Sequence, residues 1–236
     1  MDNEAFVPVT DTPDAGPPPL PNLAVRIAQV FTAPGKLFDA LREKPAWLGA
    51  LLFITVVGLV AQFLVPGEMI RDLIRSQVGP DATAQQVDAA VRIGAITRYV
   101  GAVIGPVIVF VIIAGILLLI YNVMLGGEGS FRQVFSATIH ANLVGTIGGV
   151  AILPLAIARG DLRTALALDL LVPGLEPSGF AFRFLHGLNV FGIWTIVVLG
   201  IALSRIYPKV TAGGAIGVLM ALYLVLKLIL AAVGAG

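Results

Sequence analysis

The sequence predicts an all-α fold, a polytopic membrane helix bundle of five transmembrane helices with short interfacial helices, and three observations carry that prediction. At 58% hydrophobic and 12% charged residues, the chain has about half the ~25% charge of a soluble domain, so the bilayer is its solvent. Five apolar runs, 47–65, 99–125, 134–158, 188–206 and 212–233, contain no Asp or Glu, and each approaches or exceeds the roughly 20 residues that cross a ~30 Å hydrocarbon core. Between them stand proline, glycine and charged residues, the usual punctuation of helix ends.

The second and third runs form the organising hairpin. They meet across the turn YNVMLGGEGSFRQVF, where Gly126, Gly127 and Gly129 end one helix and Ser130 with Gln133 makes a capping box that starts the next. Tyr99 and Tyr121 are 22 residues apart, about 33 Å at ~1.5 Å per residue, the separation expected of rings at opposite interfaces. Pro106 removes a backbone hydrogen bond within the second run and predicts a bend there. The turn lacks the Gly-Lys-Ser/Thr ending of a phosphate loop.

The remaining elements follow in order. Residues 1–21 carry four acids, no base and six prolines and read as a disordered proline-rich tail. Residues 22–46 read as interfacial amphipathic helices, with Asn22 capping the first, Pro34 opening the second and Pro45 ending it. Residues 47–236 form the membrane domain. Trp47 opens the first span and Pro66-Gly67 closes it. A polar excursion over 66–98 holds two short helices, the second capped by Thr83 and Gln86. Between 159 and 186 the chain leaves the membrane again, with Asp161 placed to cap a short apolar helix through Leu170. Arg205, Tyr207, Pro208 and Lys209 mark the interface after the fourth span.

Function classes can be excluded by composition and spacing. A net charge of +1 with scattered basic residues gives nucleic acid no footprint. There is no cysteine, and His140 and His186 stand outside any HExxH-like spacing, so neither a thiol nucleophile nor a zinc site is expected. No cofactor, metal or catalytic constellation is implied, and an enzyme is not expected. Ser136 and His140 share a helix face, where packing and backbone bonding outweigh a nucleophile–base pairing. The third span is the most polar, and Thr138, His140 and Asn142 are its candidate polar interior, because unpaired polar groups in hydrocarbon are costly. The candidate helix-packing residues are the small pairs Gly101 and Gly105, Gly145 and Gly149, and Gly213 and Gly217, each at four-residue spacing. Lys227, a charge inside the fifth run, is expected to snorkel and is the candidate lipid-phosphate contact.

Three stretches, FTAPGKLFDALREKPAW, YNVMLGGEGSFRQVFSATIHANL and LNVFGIWTIVVLGIALSRIYPKVTAGGAIG, resemble bacterial members of the Yip (Ypt-interacting protein) domain family over about residues 25–233. Gly126, Gly127, Ser130, Phe131, Trp194 and Gly200 are the positions most alike. The resemblance implies a five-helix integral membrane protein with a cytosolic amino terminus. In eukaryotic relatives it also implies association with prenylated Rab-type GTPases and roles in membrane trafficking or shaping. The acidic motif of those relatives has no counterpart in this sequence. The charge pattern agrees on orientation: the loops on the amino-terminal side carry seven Lys and Arg in 40 residues against seven in 61 on the other, a density that favours that side as cytoplasmic. The expected role is a membrane-organising scaffold in the bacterial inner membrane, in contact with lipids and with a membrane-protein partner or a second copy of itself. A small transporter or channel with a path along the third span is the alternative.

Overall fold

The structure, a computed structural model, describes residues 19–79, 81–160, 166–176 and 179–234. Most of the proline-rich tail, 1–18, and the Asp161 cap lie outside the described residues. Those described fold into nine α-helices without a named strand, α1 (Leu23–Thr32), α2 (Pro34–Glu43), α3 (Leu48–Leu64), α4 (Gly67–Val78), α5 (Ala84–Leu118), α6 (Phe131–Arg159), α7 (Phe180–Gly187), α8 (Val190–Ile206) and α9 (Ala212–Ala232). A π-helical turn (Leu119–Met124) prolongs α5, and a 3-10 turn (Leu168–Leu171) precedes α7.

Three apolar helices are long enough to cross a bilayer by themselves, Ala84–Met124, Phe131–Arg159 and Ala212–Ala232. The apolar helices α3 and α8 have 17 residues each, the lower limit for crossing. α3 also joins α4 through a bend of 89° at Val65-Pro66, where proline forbids a continuous helix. The polar excursion before the second span merges into it without a break, so α5 projects beyond the apolar run. Its extension is braced by α4 through a 2.7 Å ion pair between Arg71 and Asp88. The capping boxes form as their sequences require: Gln86 N–H donates to Thr83 Oγ1, and Gln133 N–H donates to Ser130 Oγ, each at 3.3 Å.

The centre of the bundle is α6, packed on α3, α5 and α8, with α9 behind α8. Its stretch from Val134 to Ala141 is buried without interruption. Phe110, Ala114, Leu117 and Tyr121 of the α5 hairpin arm, together with Val198, Leu199, Ala202 and Leu203 of α8, complete one core.

The amino-terminal helices are part of that core. Val30 of α1 and Leu37, Phe38 and Leu41 of α2 are buried, Phe31 meets Trp194 edge-on at 5.3 Å between ring centroids, and α2 lies on α8. The helices read from the sequence as interfacial in 22–46 bury their apolar stripes against protein. At the opposite end, the described residues of the segment expected to be a helix through Leu170 form the 3-10 turn. It is held by an antiparallel bridge between Ala167 and Asn189, in which Val190 N–H donates to Leu166 O at 2.9 Å.

Close helix approach uses other glycines than the four-residue pairs. A methyl group on Gly148 would collide with the Phe191 ring, and one on Gly200 with Ile216 Cγ1. At Gly101, Gly105, Gly149, Gly213 and Gly217 a methyl group would meet open space, and at Gly145 only Thr195 Oγ1 at 3.6 Å. Four-residue spacing identifies a small face but not whether a neighbour occupies it. Gly148→Leu and Gly200→Leu should each lower the unfolding midpoint in mild detergent through overpacking worth about 1–3 kcal/mol, whereas Gly213→Leu should leave it unchanged; equal effects at all three would refute this packing.

Candidate functional site

Three places in the bundle gather polar groups, and α6 contributes to each. The deepest is built on His140, nine residues beyond Phe131 and so about 14 Å along the α6 axis at ~1.5 Å per residue. His140 is fully buried. Its Nε2 lies 3.1 Å from Arg26 Nη1, and its Nδ1 lies 2.8 Å from Ser136 O. Arginine can only donate, so Nε2 must accept, and Nδ1 carries the proton and donates to the Ser136 carbonyl. Arg26 Nη1 also donates to Ala46 O at 3.0 Å. One guanidinium therefore links α1, the entry to α3 and α6. Burial lowers the Arg26 pKa from its ordinary value, but a guanidinium remains charged.

This arrangement answers the Ser136–His140 pairing. Histidine addresses the serine's carbonyl, not its hydroxyl, and Ser136 Oγ has no hydrogen-bond partner among the described residues. Neither ring nitrogen is free to take a proton from it, so the pair has no nucleophile–base geometry. Among the described residues no group of three His, Asp or Glu could hold a metal ion.

The other members of the polar interior part company with His140. Thr138 is buried, and its hydroxyl donates to Val134 O at 2.9 Å, the backbone bond expected of a helix threonine. Asn142 donates to Thr138 O at 2.9 Å but faces a cavity of about 580 Å³ between α6, α8 and α9, where Thr195, Asn189 and Tyr223 also stand. The polar groups of that wall are largely committed: Thr195 Oγ1 donates to Phe191 O at 2.8 Å, Asn189 Oδ1 accepts from Gly192 N–H at 2.7 Å, and Tyr223 Oη donates to Gly187 O at 2.9 Å. A second cavity, of about 390 Å³, opens between α3, α5 and α6; Gly58, Gly101, Gly105, Gly145 and Gly149 line it with Gln62. The structure thus brings two of the predicted glycine pairs to one groove and leaves the third, Gly213 and Gly217, on α9. Lys227 lays its stem against Gly187 and holds Nζ 5.5 Å from the Tyr223 ring centroid.

The third place is the end of the bundle that carries α2 and both hairpin turns. Tyr121 and Tyr207 stack there with ring centroids 5.1 Å apart. The glycines of the GGEGS turn exist for these rings: a methyl group on Gly127 would lie 2.6 Å from Tyr207 Cδ1, one on Gly129 would strike Tyr207 Oη, and Gly126 takes a φ of 65° that side chains disfavour. Asn122 fastens the turn by donating to Gly129 O at 2.8 Å and accepting Gly129 N–H at 3.2 Å. Burial, and then the neighbouring Tyr121, push the Tyr207 hydroxyl up to about 12. Around the pair lies a cavity of about 380 Å³ whose polar lining is Arg42, Glu128, Gln133 and Lys209. Arg42 and Gln133 tie α2 to this end: Arg42 Nη1 donates to Arg205 O at 3.2 Å, and Gln133 Nε2 donates to Arg42 O at 2.9 Å. No sequence signal placed Tyr121 and Tyr207 side by side, although each ends a span.

Together, these features define a polytopic α-helical membrane protein whose polar groups serve mainly to lock helices together. The chain belongs to the Yip1 domain family, whose model matches residues 28–234. It is 27% identical over 179 residues to the membrane protein YknW of Bacillus subtilis strain 168, covering 75% of this chain and 76% of that protein. No solved structure matches it. The residues that carried the resemblance acquire physical roles: Gly127 lies under Tyr207, Ser130 caps α6, Trp194 meets Phe31, and Gly200 admits Ile216.

Proposed function

We propose that this protein is a non-enzymatic membrane organiser that binds a second membrane helix, from a partner or another copy, at the groove between α3, α5 and α6. The observation that carries the reading is the open space above Gly101, Gly105 and Gly149, all three lining that one groove. Backbones approach closely where small residues recur, and association in lipid depends on such packing. The proposed setting is the bacterial inner membrane with a cytoplasmic amino terminus. In native membranes crosslinked and then extracted in mild detergent, the wild-type chain should be recovered as a defined complex by mass spectrometry. Gly101→Leu with Gly105→Leu should abolish that complex without lowering the unfolding midpoint, and recovery of the wild-type chain alone would refute the reading.

A second reading, a small transporter or channel, is supported by the 580 Å³ cavity beside Asn142. Against it, the one ionisable group of the polar interior, His140, is sealed between Arg26 and Ser136. This reading expects purified protein in liposomes to pass small solutes or ions at a rate that Asn142→Leu reduces; liposomes as tight as protein-free ones would dispose of it.

A further inference from the structure

The cavity at the paired turns is built differently from the two grooves within the bundle. Tyr121 and Tyr207, only 1% and 2% exposed, stack in its wall. Beside them stand two cations. Lys209 is exposed and makes no ion pair among the described residues. Arg42 gives one N–H to Arg205 O and lies 3.7 Å from Glu43, which leaves most of its five donors uncommitted. Glu128 is the single carboxylate of the lining. The rest of the wall, including Leu125, Ile206 and Val210, is apolar.

Depth adds a constraint. Tyr121 lies three residues before the end of the Ala84–Met124 helix, and Tyr207 directly follows α8. The cavity therefore sits where hydrocarbon gives way to headgroups. A ligand reaching it from the bilayer would present acyl chains to the apolar wall and a phosphodiester to the donors.

From this we infer a binding site for one anionic glycerophospholipid, its phosphodiester held by Arg42 and Lys209 beside the stacked Tyr121 and Tyr207 rings, and a headgroup hydroxyl donating to Glu128. The carboxylate selects among anionic lipids. It would repel a bare phosphate monoester and accept a hydrogen bond from a hydroxylated headgroup such as glycerol. The site does not depend on the helix-docking reading, since it lies on other residues at the end of the bundle.

Native mass spectrometry of the full chain, released from nanodiscs of phosphatidylcholine with a minor fraction of phosphatidylglycerol, tests the assignment. One phosphatidylglycerol should be retained per chain in preference to phosphatidylcholine. Lys209→Gln and Arg42→Gln should each weaken retention by about tenfold, the loss expected for one hydrogen bond to a charged group. Arg92→Gln, a charge removed from the α5 extension, should have no effect. Glu128→Gln should erase the preference for phosphatidylglycerol over phosphatidic acid. Because Lys209 is exposed, its variant keeps the test open should Arg42→Gln, which also loses the bond to Arg205 O, fold poorly. Retention unchanged in Lys209→Gln, or displacement of the lipid by soluble glycerol phosphate at equal concentration, would overturn the assignment.

Discussion

One buried contact fixes the arrangement of everything around it: the Arg26 guanidinium against His140. A cation placed beside α6 with no carboxylate in contact among the described residues survives only if its donors find acceptors, and the structure supplies two, an imidazole nitrogen and the Ala46 carbonyl. The geometry propagates outward. With Arg26 anchored there, α1 must lie along α6, and α2, one residue further on, must return along α8. There Arg42, Gln133 and the Asp39–Arg205 pair at 3.7 Å complete the seam. The same hydrogen bond settles the histidine tautomer and removes the only imidazole of the core from proton chemistry.

The other end of the seam depends on shape. Two hairpin turns that are distant in sequence meet because the GGEGS backbone has no side chains where the Tyr207 ring lies, and because Asn122 holds Gly129 by both its amide groups. Glycine is a steric necessity at this contact, just as Gly148 and Gly200 are where α8 meets α6 and α9. Elsewhere the glycines are open, and small residues line a groove that no part of the described chain fills. The division between filled and unfilled glycines separates what holds the protein together from what it offers to its surroundings.

Much of this was legible in the sequence. The apolar runs, the capping boxes at Thr83 and Ser130, the Pro66 break and the hairpin turn follow from composition and local chemistry, and each forms close to where the residues place it. Polarity along α6 announced an inner helix. What remained hidden was pairwise. Arg26 reads as one charge on an amphipathic helix, and nothing local reveals that its acceptor lies 114 residues away. Four-residue glycine spacing identifies a face but not its occupant, so Gly148, which belonged to no such pair used in the reading, is the close contact, and Gly149 is not. The short helix α7 was missed because its aromatic residues show no span-length run, and for the interfacial helices α1 and α2 an apolar stripe is the same whether protein or lipid covers it.

The central claim is that Arg26 and His140 act as one structural unit, and a double-mutant cycle measures it directly. Thermal or denaturant unfolding in mild detergent would compare the wild type with Arg26→Ala, His140→Ala and the double variant. The account predicts that each single change costs about 2–4 kcal/mol by leaving its partner unsatisfied in the core. The double variant should cost little more than either, a coupling of at least about 1 kcal/mol. Strictly additive losses, or an Arg26→Ala variant as stable as the wild type, would contradict it.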